Sequence, residues 1–222
     1  MSSLAGGAKK RRMYAPSHFA ETRPEVLHEA LRSAGLFTLV TRDGDGLDAS
    51  HLPMLLDVPE GGPARLLGHL ARANGQWRSA REEAPALAIA LGPDAYVSPS
   101  WYATKRETGK VVPTWNYVSL HVHGTVRFFH EPERLLEVVR RLTDRHEGRR
   151  EHPWKVSDAP AEYVEGLLKA IVGVEVTITR IEGKWKASQN RSEADQRGVA
   201  DGLREDGHTE LARVMEGLKH PR

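Results

Sequence analysis

The sequence predicts an antiparallel α+β fold built around a closed or partly closed β-barrel. Two observations predict it. Strand-like segments come in runs joined by tight turns, with helices grouped between them, unlike the strict strand–helix alternation of a doubly wound sheet. Six or seven such segments at this spacing suit a barrel. The chain has 222 residues, 39% of them hydrophobic. That suffices for one large domain whose core needs no covalent staple.

Residues 1–12 are small and basic and read as a flexible leader, ending in Lys9-Lys10-Arg11-Arg12. The main domain is expected over 13–191. Pro24 to Ala34 reads as a helix, with Pro24 in its first turn, an apolar stripe of Val26, Leu27, Ala30 and Leu31, and Gly35 as a stop. Leu36 to Thr41 is a strand, Asp43-Gly44-Asp45-Gly46 a turn, and Ala49 to Val58 the returning strand, interrupted by Pro53. Proline cannot donate to a ladder, so Pro53 marks an edge, a bulge or a ligand-facing stretch. Arg65 to Leu70 is a strand and Asn74 to Glu83 a short helix. Ala86 to Leu91 is a buried strand, broken by Gly92-Pro93 and resumed over Ala95 to Ser98. Residues 99–113 read as a long loop.

Tyr117 to Phe129 is a long strand by alternation: Val118, Leu120, Val122, Val126 and Phe128 share one face, and Tyr117, Ser119, His121 and His123 the other. Pro132 to Leu142 and Ala161 to Ile171 are helices. A last strand starts near Val174, and Ile181 to Lys186 follows it. Residues 192–222 form a charged helical extension, expected to pack on or near the barrel.

Composition removes several function classes. No cysteine is present, which excludes a disulfide framework, a thiolate nucleophile and Cys-ligated metal sites. No apolar run approaches the roughly 20 residues that span a bilayer. The N-terminal charges precede no apolar segment, so no secretory signal is read and a cytoplasmic location is expected. With 32 Lys+Arg against 30 Asp+Glu, the net charge of +2 suggests no dedicated duplex-DNA surface. Dinucleotide-type and Walker-type glycine loops and the Gly-x-Ser-x-Gly elbow are missing.

Four stretches are able to carry chemistry. His121-Val122-His123 puts two imidazoles on one strand face. His51, His69 and His130 are available as a third ligand, but no spacing selects among them, so no metal site is assigned. His69 to Trp77 leaves a strand and enters a helix; His69, Arg72 and the Asn74 cap suit a single phosphate, or else an ordinary capped helix with a surface arginine. Thr114-Trp115-Asn116-Tyr117, with Tyr96, Trp101 and Tyr102 upstream, offers walls for a planar heterocycle, or an aromatic core cluster. Lys184 to Ser192 reads as an anion or polar-edge contact, or as a capping turn with Ser188 or Asn190 as cap.

In order along the chain, Met13-Tyr14-Ala15-Pro16-Ser17-His18-Phe19, His51-Leu52-Pro53, Gly68 to Asn74, Tyr96 to Tyr102, Val112 to Tyr117 and Lys186 to Asn190 make up a set of motifs. In them the sequence resembles the PaiB-type FMN-binding regulators, over about Met13 to Leu203. Gly75 stands where that family is expected to have proline, and Met54, where phenylalanine is expected, would soften the wall near a ring. The resemblance implies an FMN-binding split barrel and a homodimer with two cofactor sites between subunits. By analogy with related split barrels, it implies that Ser50, His51, His69, Arg72 and Asn74 meet the phosphate and ribityl chain, while Trp115, Asn116, Lys186 and Gln189 approach from the partner subunit; Trp77 and Thr114 are counted with the cofactor-binding residues.

The resemblance implies negative control of transcription, of sporulation and protease genes. No helix-turn-helix is recognised, and the tail is rich in acids, so regulation is expected through a protein partner or through DNA contact by the patch at Lys9 to Arg12. The alternative is a flavin-dependent oxidoreductase, with Lys105, Arg106 and Lys110 drawing in an anionic substrate. A third reading puts haem in the barrel, with an axial nitrogen from His51, His69, His121 or His123.

Overall fold

The computed structural model describes residues 12–43, 46–79 and 83–219. Lys9 to Arg11 of the leader, Gly44 and Asp45 of the first turn, and 80–82 of the short helix lie outside the described residues. The strands are β1 (Ala20–Glu21), β2 (Phe37–Asp43), β3 (Gly46–Leu52), β4 (Met54–Asp57), β5 (Arg65–Ala71), β6 (Ala84–Val97), β7 (Thr114–Phe129) and β8 (Ile171–Lys186). The helices are α1 (Pro24–Ser33), α2 (Gln76–Ser79), α3 (Thr104–Thr108), α4 (Pro132–Glu147), α5 (Ala161–Leu168), α6 (Glu193–Glu205) and α7 (Thr209–Lys219).

All described strand pairs are antiparallel, in the order β3-β2-β6-β7-β8-β5-β4, with β1 added on β8. The two ends of that order, β3 and β4, are separated in sequence by Pro53 alone. They are two halves of one kinked strand, so the sheet closes on itself. Pro53 has no N–H for either ladder, and this is why the strand changes partner there, from β2 to β5. The corner is tight: a Cβ on Gly68 would lie 2.7 Å from the Pro53 carbonyl oxygen. Of the readings open for Pro53, the barrel corner is the one found.

Several boundaries differ from expectation. Gly92-Pro93 does not end a strand; β6 runs through with a register shift between Leu91 and Asp94 that absorbs the missing donor. The segments near Val174 and Ile181 are one strand of 16 residues. It starts at Ile171, the expected end of a helix, because Ile171, Val172 and Gly173 pair with Ala71, Leu70 and His69. β7 has its own shift between His123 and Gly124, where a Cβ on Gly124 would lie 2.2 Å from the Thr177 carbonyl oxygen. The 99–113 loop holds a 3-10 turn at Pro99–Trp101 and then α3.

The barrel interior is lined by residues such as Leu39, Leu66, Ala88, Leu120, Val122, Val126, Val174 and Val176, and α1 adds Leu27 and Leu31. Met54 is fully buried in this cluster, so it cannot soften the wall of an outer ligand site. Phe129 turns to the opposite face, where Leu135, Val138 and Leu142 of α4 cover Leu55 and Leu67. On another side, Val199 and Leu203 of α6 with Leu211 and Ala212 of α7 bury Ala95, Val97, Tyr102 and Ala187. At about 1.5–3 kcal/mol per buried Leu or Val, such contacts fasten the C-terminal helices to the barrel. Among the described residues, no helix is long and apolar enough to cross a membrane.

Candidate functional site

The expected site residues fall into two groups at opposite ends of β8. The first surrounds the start of that strand. Asn74 follows β5; its Nδ2 donates to Ser50 Oγ at 2.7 Å, and its Oδ1 accepts from Gln76 N at 2.9 Å. Gly75 takes the cap position of α2, a single turn, with its carbonyl accepting from Arg78 N and Ser79 N, while Asn74, one residue earlier than the cap, accepts from the first helical N–H and reaches across to β3. Gln76 anchors that turn. It is fully buried, and its Nε2 donates to Leu39 O (3.1 Å), Thr41 Oγ1 (3.0 Å) and Asp48 O (3.3 Å). Trp77 Nε1 donates to the Arg72 carbonyl at 2.9 Å, and its ring meets His130 edge-on at 5.1 Å.

Arg72 is bonded to the α5–β8 junction. Its Nε donates to Lys169 O at 2.6 Å and its Nη2 to Ile171 O at 3.0 Å, with Nη1 3.5 Å from His130 Nδ1. It borders a hollow of about 330 Å³ with His130, Pro132, Glu165, Leu168 and Lys169. His69 is half-buried, and its Nδ1 is buried with no hydrogen-bond partner among the described residues. Burial pushes its pKa down, which favours the neutral ring. His51 lies on the opposite side of β3 from Ser50, exposed, with Nδ1 2.9 Å from Thr38 Oγ1.

The second group surrounds the far end of β8. Lys186 Nζ donates to Thr114 Oγ1 at 2.5 Å and to the Trp115 carbonyl. Burial, then the charges of Lys184 and Arg191, push its pKa down. Asn116 is buried, and its Nδ2 donates to Ser188 Oγ at 2.9 Å. Ser188 sits in the left-handed region at φ 62°. Gln189 accepts from Ala187 N at 2.8 Å and donates to Trp185 O at 2.5 Å. The cap of α6 is Ser192, whose Oγ accepts from Asp195 N at 3.2 Å, in place of the expected Ser188 or Asn190.

The aromatic cluster divides. Trp101 and Tyr102 pack into the α6–α7 core, whereas Tyr96 and Trp115 remain 47% and 53% exposed and meet edge-on at 6.3 Å. Trp115 borders a shallow, apolar hollow of about 420 Å³ with Leu91, Asp94, Tyr117 and Val118.

From Ile171 to Lys186, β8 traverses about 50 Å of strand contour at ~3.3 Å per residue. One protomer therefore does not bring Arg72 and Asn74 together with Trp115 and Lys186. Sequence reasoning missed Gln76, which fixes α2, and Glu182, which stands opposite His121 in the β7–β8 register. Only strand pairing reveals the second.

The chain matches, over residues 13–180, the family described as "Putative FMN-binding domain". It belongs to that family. Bacillus subtilis (strain 168) "Protease synthase and sporulation protein PAI 2" is 30% identical over 207 residues, spanning 92% of this chain and 97% of that protein. An uncharacterized protein of Emericella nidulans is 34% identical over 226 residues, spanning 86% and 90%. Among solved structures, the FAD and heme binding protein from Mycobacterium smegmatis aligns with a TM-score of 0.57 at 17% identity, covering 80% of this chain and 78% of that one. At that identity the likeness shows the fold alone, a split barrel. This PaiB-type chain is thus an FMN-binding protein.

The side chains present suit FMN. The first group offers a guanidinium, an amide, a hydroxyl and an unpartnered imidazole nitrogen to a phosphate and a polyol. The second offers the exposed Tyr96 and Trp115 rings to a flat heterocycle.

Proposed function

We propose that this chain is a flavin-dependent negative regulator of transcription that works as a homodimer, with each FMN held between the first group of one protomer and the second group of its partner. The observation that carries this reading is the separation of the two groups along β8: each is half a site, and a twofold assembly is the simplest arrangement that joins unlike halves twice. Leu91, Tyr96 and Trp115 lie exposed on adjoining strands beside the second half and make an apolar patch for the partner.

In this reading Ser50, His69, Arg72 and Asn74 bind and orient the phosphate and ribityl chain. His69, neutral in its half-buried position, hydrogen-bonds through Nδ1. Trp77 and His51 border the same end. Trp115 of the partner covers a ring face and excludes water, and Thr114, Asn116, Lys186 and Gln189 hold it in place. Bound FMN supplies one- and two-electron redox chemistry. Regulation runs through a protein partner or the basic leader, because the arginines of α6 are paired with acids: Arg197 with Glu193, and Arg204 with Asp201 and Glu216. The Bacillus relative's name supports the regulatory part. A chain without cysteine needs no oxidising compartment, which supports a cytoplasmic location.

The test is complementation between two variants, Asn74→Ala and Trp115→Ala. Each alone is expected to bind FMN poorly. Mixed by denaturation and refolding, half of the dimers carry one of each chain, and one of their two sites is intact. About a quarter of wild-type flavin occupancy should return. No recovery in verified mixed dimers would refute the shared site. Loss of promoter retention on deleting residues 1–12 would assign DNA contact to the leader.

A further inference from the structure

We infer that His121, His123 and Glu182 bind one divalent transition-metal ion of the zinc class, on the outer wall of the barrel between β7 and β8. The inference is independent of the FMN reading. Their ligand atoms all lie within 4.8 Å of one another. Two features of the sheet bring them together. His121 and His123 are two apart on β7, so they share a face, opposite to Val122 in the barrel interior. Glu182 is the direct cross-strand neighbour of His121. Yet its Oε2 reaches diagonally to His123 Nε2, 3.0 Å away, beside the point where the β7 register shifts.

The carboxylate is already aimed. Met13 N donates to Oε2 at 3.1 Å, and Arg180 Nε lies 3.3 Å from Oε1. Outer partners of this kind orient ligands in metal sites. A hollow of about 370 Å³, bordered by Met13, Arg180 and Glu182, adjoins the carboxylate. Closing on an ion requires the ligand atoms to approach to about 3.3 Å from one another, the spacing of tetrahedral ligands at 2.0–2.1 Å.

The donor set selects the ion class. Two imidazoles and one carboxylate disfavour calcium and magnesium, which take oxygen ligands. Three protein ligands leave a coordination position for water or a small anion. The charges facing the site are Arg180, which stays on Oε1, and Lys184, whose Nζ is over the rings of Tyr14 (5.4 Å) and Tyr117 (5.1 Å). Both oppose a second cation, so a single ion of moderate affinity is expected.

The experiment is titration of the tag-free full-length protein, at fixed flavin content, with zinc by calorimetry and with cobalt(II) by visible absorption. One equivalent should bind, and cobalt should develop ligand-field bands. His121→Ala and Glu182→Gln should each weaken zinc binding by at least about tenfold and abolish the cobalt bands. His121→Ala leaves the His123–Glu182 and Met13–Glu182 contacts intact, which separates ligand loss from unfolding. Absence of heat and bands in the wild type, or binding unchanged in both variants, would overturn the assignment.

Discussion

The start and the end of β8 carry similar numbers of polar side chains but use them differently. At the far end the bonds are internal. Lys186 closes on Thr114 and Trp115, Gln189 on Ala187 and Trp185, and Asn116 on Ser188. What this end leaves free is flat and apolar, namely Tyr96 and Trp115. At the near end, His69 Nδ1 has no hydrogen-bond partner among the described residues and one Arg72 nitrogen has only a 3.5 Å contact. Hydrogen bonds already satisfied add little for a ligand, while unsatisfied buried ones favour it. In the proposed site, recognition of a polar, charged group therefore falls to the near end, and stacking to the far end.

Four measurements probe this contrast. Gln76→Leu removes the two amide N–H donors shared among three acceptors under α2 and should lower stability by about 2–3 kcal/mol. Chemical denaturation should show it, together with weakened FMN binding; an unchanged midpoint would mean that α2 is held by something else. Arg72→Ala should weaken FMN by ten- to a hundredfold, about 1.5–3 kcal/mol, in a fluorescence titration. Affinity equal to wild type would reduce Arg72 to a strut between the Lys169 and Ile171 carbonyls.

At the far end, Lys186→Met leaves Thr114 Oγ1 and the Trp115 carbonyl without their donor. Stability should fall by about 1 kcal/mol, and FMN affinity less than in Arg72→Ala. A larger loss of affinity than in Arg72→Ala would reverse the ranking of the two ends.

The smallest effect concerns acid. Burial raises the Asp57 pKa, but the hydrogen bonds from Arg65 and Arg141 outweigh it, and the carboxyl sits below its ordinary value. A lowered folded pKa contributes stability above the ordinary carboxylate range, about 3.9, that is lost as pH falls through the lower value. Asp57→Asn should therefore flatten the decline in stability between about pH 5 and pH 2. The effect is modest because both arginines are partly exposed. An identical acid slope in the variant would show that Asp57 gains nothing from its partners.

Local patterns carried much of this molecule. Pro24 and the Val26–Leu31 stripe were enough to locate α1, and alternation from Val118 to Phe128 located β7 and its buried face. Alternation held past Gly124: Val126 and Phe128 face the same core as Val122, and Phe129, one residue on, faces the other. The Gly92-Pro93 pair misled because a bulge can absorb a proline that a regular ladder cannot. Arg72 was legible as a cation near the site, but not that two carbonyls of the α5–β8 junction would bind it.

Fold class, family and cofactor class were thus readable from the chain alone, since turn residues, alternation and short motifs act over a few neighbouring positions. Three things required the folded chain: closure of the barrel at Pro53, division of the candidate site residues between the two ends of β8, and the meeting of Glu182 with His121 and His123. Each depends on which strands pair and in what register. That is set by packing among residues far apart in sequence, and no local pattern encodes it.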